Sequence, residues 1–149
     1  MPNEKITEHN LVDELRMVFP EIEASYQAEL ESWGGKFPGN YNVLAFVFKP
    51  FLKVELAKAA SGDYLPRLCE FMECVCASGD REAINAVWLK LFKLFLPDSA
   101  LVKHLWPLLG PQTKSNLADA ALRWGFVHNL PAHGYMDAAT VLFTPHRRD

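Results

Sequence analysis

Apolar side chains recur at the spacing of an α-helix along most of this chain, most clearly between Asp63 and Leu96. Positions three and four residues apart lie on one side of a helix, so each apolar series predicts a helix buried along that side. Two such series meet at Ser78-Gly79-Asp80, which predicts two antiparallel helices joined as a hairpin. The apolar positions are Leu65, Leu68, Cys69, Met72 and Cys76 in the first helix and Ile84, Val87, Trp88, Leu91 and Phe95 in the second.

A pair of acidic helices is predicted ahead of the hairpin, at about residues 7–33. Thr7 or Asn10 can cap the first helix, and Pro20 suits the first turn of the second. The dense series of turn-forming residues that begins at Gly34 then predicts a loop.

The segment 41–60 is apolar around most of a helix circumference, which predicts a central position in the fold. Pro50 lacks the backbone N–H that a regular helix needs, so we expect a kink there or a division into two helices. Two short helices are predicted after Pro97 and after Gly110. Residues 126–149 can form a last short helix or an extended strap, and periodicity leaves both open.

These elements predict an all-α fold in a single compact domain that spans residues 1–149. We expect about six to eight helices packed as antiparallel hairpins, in the style of HEAT-like repeats. The chain has 149 residues, 50% of them hydrophobic and 22% charged, which is typical of one globular domain with a sizeable core.

The composition favours a cytoplasmic protein that does not contact a membrane. No apolar run approaches the roughly 20 residues that span a bilayer, and the first residues lack the basic and then apolar pattern of a secretory signal. Two of the three cysteines are only two positions apart, so a disulfide framework is not expected.

Charge is unevenly distributed along the sequence. Residues 1–31 carry eight acidic and two basic side chains, a net of -6, whereas the remaining residues carry ten acidic and thirteen basic ones, a net of +3. An acidic segment on a mildly basic body indicates either a solvated face or a surface for a basic partner. It also argues against nucleic acid as the partner of this region.

The cysteines do not form a recognisable metal site. Cys69, Cys74 and Cys76 have the spacing C-x4-C-x-C inside a predicted helix. Structural zinc sites use four ligands, usually including a C-x2-C pair. We therefore interpret the cysteines as structural residues of the core, and we expect neither a metal nor a cofactor.

No group of side chains in the sequence specifies a reaction. His128 and His133 flank a loop-like stretch and, with Asp137, are the candidates for a catalytic cleft, but no known nucleophile or base motif accompanies them. Glu70 and Glu73 are three residues apart, as an acid and base pair could be, and we interpret them as solvated surface charges.

The hairpin resembles one found in a family of small all-helical bacterial proteins. In that family an F-[I/M]-E helix is followed by S-G-D and then by an N-A-V helix. The corresponding residues here are Phe71-Met72-Glu73, Ser78-Gly79-Asp80 and Asn85-Ala86-Val87. The similarity covers roughly residues 63–96. Members of the family resemble immunity-type proteins encoded beside secreted toxins, and the family motif assigns no catalytic residue.

The resemblance implies a bacterial immunity protein that binds a cognate secreted toxin and neutralises it by occlusion, without being an enzyme. Toxins that act on nucleic acids are often basic, so the acidic N-terminal helices are the predicted contact surface. Trp33 is either an anchor inserted into the partner or a staple that packs the loop onto the core. The expected partner-binding residues are Glu21, Glu23, Glu29, Glu31 and Trp33.

Two other functions stay open at this point. Consecutive helix pairs also fit a helical adaptor that binds another cellular protein, although the sequence shows no self-similarity at a fixed period. A cleft near His128 and His133 would instead make the chain a small hydrolase or transferase. The sequence specifies no oligomeric state.

Overall fold

The computed structural model describes residues 5–58 and 63–131. Within these ranges the backbone forms seven helices and no strand, which confirms the predicted all-α class with six to eight helices. None of the described helices is long and apolar enough to cross a membrane. The helices are α1 (Leu11–Val18), α2 (Glu23–Ser32), α3 (residues 40–57), α4 (Tyr64–Ser78), α5 (residues 81–95), α6 (Ser99–Leu105) and α7 (Pro111–Trp124).

The central helix of the fold is α4, which packs against α1, α5 and α7. Its predicted apolar side is buried, and Leu68 and Met72 have no exposed surface. A pair of aromatic rings connects the end of α1 to α3: the ring centroids of Phe19 and Phe48 are 5.0 Å apart. Each such buried side chain contributes about 1.5–3 kcal/mol of transfer free energy.

The predicted hairpin is present as α4 and α5. Gly79 ends α4 in the left-handed conformation, with φ of 77°, which a glycine adopts without a Cβ clash. Asp80 then starts α5, because its side chain accepts a hydrogen bond from the backbone N–H of Ala83 at 3.1 Å. The turn sequence therefore ends one helix and begins the next.

The irregularity expected at Pro50 is present as a wider turn within α3, and the helix is not divided into two. The helix is α-helical at Asn40–Val43, π-helical at Leu44–Phe48 and α-helical again at Lys49–Ala57. The wider π turn lies directly before Pro50, and the N–H of Lys49 donates to the carbonyl of Leu44, five residues back. A change of hydrogen-bond register thus accommodates the proline without ending the helix.

A second π turn, which periodicity did not predict, occupies Trp88–Phe92 within α5. The two π turns pack against each other where α3 and α5 meet. In the predicted terminal segment 126–149, Val127–Asn129 form a short 3-10 turn, and the expected strap beyond residue 131 lies outside the described residues.

Candidate partner-binding surface

Glu21, a predicted partner-binding residue, is exposed and forms an ion pair with another residue of the chain, Arg67. Its two carboxylate oxygens accept hydrogen bonds from Nη1 and Nη2 of Arg67 at 2.9 and 2.6 Å. The same guanidinium also donates to Asp63 and to the backbone carbonyl of Val18. The hydrogen bonds from Arg67 hold the pKa of Glu21 below its usual value. This carboxylate therefore joins the 3-10 turn Pro20–Ile22, which precedes α2, to α4.

Glu23 is held in a similar way by Arg16 of α1. Nε and Nη2 of Arg16 donate to the two oxygens of Glu23 at 2.9 and 2.7 Å, which is a bidentate geometry. With a further hydrogen bond from Gln27, Arg16 lowers the pKa of Glu23 to about 2. Two of the four predicted acidic contacts thus have a basic partner within the chain.

The other end of α2 has a different character. Trp33 follows the last residue of the helix, and its side chain is 44% exposed. Its indole Nε1 donates to Oε2 of Glu29 at 2.9 Å. The ring is therefore oriented by a surface carboxylate and not by packing against the core. Glu31 is exposed on the last turn of the helix. Glu29 and Trp33 are therefore in contact, and Glu31 lies on the same last turn of the helix.

Phe37, a further exposed aromatic residue in the loop that follows α2, was missed by the sequence reasoning. It lies five residues from the end of α2, in the loop that leads to α3, and it is 54% exposed. An aromatic residue inside a glycine-rich loop was the available signal, because such a loop seldom buries a large side chain. We call Glu29, Glu31, Trp33 and Phe37 the acidic-aromatic end of α2.

The electrostatics at the acidic-aromatic end of α2 oppose those that stabilise a helix. The carboxyl end of a helix carries partial negative charge, so the carboxylates of Glu29 and Glu31 cost stability there, where a basic side chain would add to it. The last turn of α2 contains no basic residue that would offset this cost. Local arrangements that lower stability are concentrated at functional surfaces. The charge pattern therefore favours a role in binding.

Glu73 is not the solvated surface charge that we expected. Its Oε1 accepts hydrogen bonds from the N–H and the hydroxyl of Thr113, both at 2.8 Å, and Oε2 accepts one from the N–H of Gln112 at 3.1 Å. The carboxylate therefore caps the amino end of α7 from α4. Gly110 makes room for it, because a Cβ there would lie only 2.5 Å from Oε1. Glu70, by contrast, is exposed.

A cavity of about 300 Å³ lies beside this cap, and the thiols of Cys69 and Cys74 that line it are unreactive. Burial raises the pKa of Cys69 to about 11, and it also raises the pKa of Cys74. Thiols with raised pKa values are protonated at neutral pH and are poor nucleophiles. The cavity is lined by Pro66, Cys69, Glu70, Glu73, Cys74, Leu108 and Gly110.

The predicted catalytic cleft is only partly within the described residues. His128 is exposed, and its ring centroid is 6.5 Å from that of Phe126. His133 and Asp137 lie outside the described residues, so the cleft stays a prediction. Within residues 5–58 and 63–131, no group of three or more His, Cys, Asp and Glu side chains is arranged to hold a metal ion.

Comparisons with known proteins add no relative to this picture. No family model, no curated protein and no solved structure matches the chain. The resemblance of the hairpin to immunity-type proteins therefore stays a prediction.

Proposed function

We propose that this chain is an immunity protein that binds one cognate toxin through the acidic-aromatic end of α2. The observation that supports the proposal is the exposed Trp33, oriented by Glu29 at the acidic end of a helix. Trp is enriched among the residues that contribute most to protein interfaces, and an indole that is already oriented loses less conformational freedom on binding. The protein would act in the cytoplasm and would occlude the toxin without performing a reaction.

The residues of this surface would have two distinct roles. Trp33 and Phe37 would provide the apolar contact that water leaves on binding, which determines how slowly the complex dissociates. Glu29 and Glu31 would attract a basic toxin and raise the association rate. Glu21 and Glu23 would contribute indirectly, because their ion pairs with Arg67 and Arg16 fix the position of α2.

Co-purification with the product of the neighbouring gene, and protection of cells that express that product, test the proposal. Trp33→Ala is expected to weaken binding at least about 30-fold, the effect of losing a central aromatic contact. Leu108→Ala is the matched control, because Leu108 is as exposed as Trp33 but lies outside this surface. It should leave binding unchanged.

The charge contribution is tested separately by association kinetics. Glu31→Lys is expected to lower the association rate constant, with a smaller difference at high salt, because screening weakens steering. Glu70→Lys makes the same charge change on the exposed side of α4 and should have a smaller effect. If the wild-type protein neither binds nor protects against the neighbouring product, the proposal is wrong. If binding survives Trp33→Ala, the contact surface lies elsewhere.

A further inference from the structure

A second surface is formed where the π turns of α3 and α5 meet. Each turn contains one large apolar side chain that faces solvent: Phe46 is 61% exposed and Leu89 is 42% exposed. No other Phe or Leu in the seven described helices is exposed. Phe and Leu are usually buried, and π turns occur frequently at functional sites.

The apolar surface continues along α3 beyond its π turn. Phe46, Pro50 and Val54 are four residues apart, which places them along one side of the helix, and all three are exposed. The opposite side of α3 contains the fully buried Leu44 and Leu52. The helix therefore has a second apolar side in addition to the one that the core covers.

Lysines outnumber acidic residues beside these apolar residues, and the neighbouring Glu55 is paired with Lys58. The segments 41–54 and 83–97 contain Lys49, Lys53, Lys90 and Lys93 but no Asp or Glu. None of the four ammonium groups forms an ion pair with a described residue, and that of Lys93 lies 5.2 Å from the ring centroid of Trp124 on α7. We define the π-turn face as Lys49, Lys53 and Lys90 together with Phe46, Pro50, Val54 and Leu89.

We propose that the π-turn face docks an acidic amphipathic helix of a partner protein. A helix with an apolar side would cover Phe46 and Val54, as amphipathic helices do in apolar grooves. Glu or Asp residues on the flanks of that helix would meet the lysines, so charge would select the partner. The inference does not depend on the proposed toxin, because this face differs in position and in sign of charge from the acidic-aromatic end of α2.

The apolar strip favours a protein helix over the two other anionic partners. Nucleic acids bind mainly through their phosphates and would leave Phe46 and Val54 uncovered. A peripheral membrane contact requires a broad apolar side that sinks into the lipid, whereas α3 exposes a narrow strip. Both alternatives use the same lysines, so the experiment includes each of them.

The test uses the full-length protein and a labelled synthetic helix of three heptads, with Leu along one side and Glu on both flanks. Fluorescence anisotropy is expected to show binding that weakens as salt rises, and no binding of the same peptide with Lys in place of Glu. Phe46→Ser should weaken binding at least about tenfold, whereas Met17→Ser, at another exposed apolar residue, should not.

Three further variants separate the contribution of charge from that of apolar contact, and separate this face from the acidic-aromatic end of α2. The double substitution Lys49→Gln and Lys53→Gln is expected to reduce the salt dependence, whereas Lys103→Gln on α6 should leave it unchanged. Trp33→Ala should not change the affinity for the peptide. Lys49 is half-buried and the other substituted side chains are exposed, so unchanged thermal unfolding of each variant would show that the fold is retained.

Four results would overturn the inference. The first is equal affinity for the acidic and the basic peptide, and the second is an equal loss with Met17→Ser. The third is tighter binding to phosphatidylserine vesicles or to a single-stranded oligonucleotide. The fourth is a dimer of the protein alone, detected by light scattering, that Phe46→Ser abolishes, because a second copy of the chain would then occupy the face.

Discussion

A single carboxylate, that of Glu73, connects two helices that are distant in the sequence. Glu73→Ala is expected to lower the free energy of unfolding by about 1–2 kcal/mol, because the first N–H groups of α7 lose an ionised acceptor. Chemical denaturation measures the change. Glu70→Ala is the matched control on the same helix and should alter stability by less than about 0.5 kcal/mol. Equal losses in the two variants would contradict the capping role.

The acid response of Glu23 depends on Arg16. The folded pKa of about 2 lies below the ordinary value of 4.5, so the pair stabilises the fold fully above pH 4.5. That stabilisation is lost as the pH falls through 2. In Arg16→Gln the pKa of Glu23 is expected to rise toward 4.5, as followed by carboxyl NMR. Arg81→Gln, at an exposed arginine, should leave it unchanged; an unshifted Glu23 in Arg16→Gln would rule out this cause.

The sequence predicted which residues carry charge but not which charges meet. Glu21 and Arg67 are 46 positions apart, and Glu73 and Thr113 are 40 apart, so no local pattern connects them. The exposed Trp33 could be suspected from its place beside a glycine-rich loop. Its hydrogen bond to Glu29 spans only one helical turn and was within reach of the sequence.

At the scale of the element, the α4–α5 hairpin depends on one backbone conformation. Gly79→Ala is expected to lower the free energy of unfolding by about 1 kcal/mol, because a Cβ is disfavoured at positive φ. Gly79→Asn should lose less, since Asn is tolerated in the left-handed region at helix ends. Thermal denaturation of both variants provides the test. Equal stability of the Ala variant and the wild type would contradict the argument.

The helices could be predicted because the spacing of apolar residues persists through small irregularities of the backbone. The periods of α1, α2 and α4 correspond to Leu11–Val18, Glu23–Ser32 and Tyr64–Ser78 in the structure. The π turns were not predictable in the same way, since one extra residue per turn changes the hydrogen-bond register without changing composition. Pro50 indicated that something irregular happens in α3, but not that the turn before it would widen.

At the scale of the whole molecule, Arg67 connects three separate segments. Its guanidinium binds Glu21, Asp63 and the carbonyl of Val18, and it lies 4.8 Å from the ring centroid of Phe19. Arg67→Lys is expected to lower the free energy of unfolding by about 1–2 kcal/mol, because one ammonium group cannot satisfy this planar set of acceptors; partial exposure keeps the loss at that level.

Urea denaturation of Arg67→Lys measures this loss, and Arg81→Lys provides the control. Arg81 is exposed at the first position of α5, so the same exchange should leave the midpoint unchanged. If Arg67→Lys were as stable as the wild type, the guanidinium would not be what holds α1 and α2 against α4.

The buried cysteines of α4 provide the chain with internal reporters of its own opening. Burial raises the pKa of Cys69 to about 11 and that of Cys76 to about 12, so both thiols are protonated at neutral pH while the fold is closed. An alkylating reagent would therefore record mainly the moments when α4 separates from its neighbours. Pulse labelling followed by mass spectrometry would measure how often the apolar side of α4 becomes accessible to solvent.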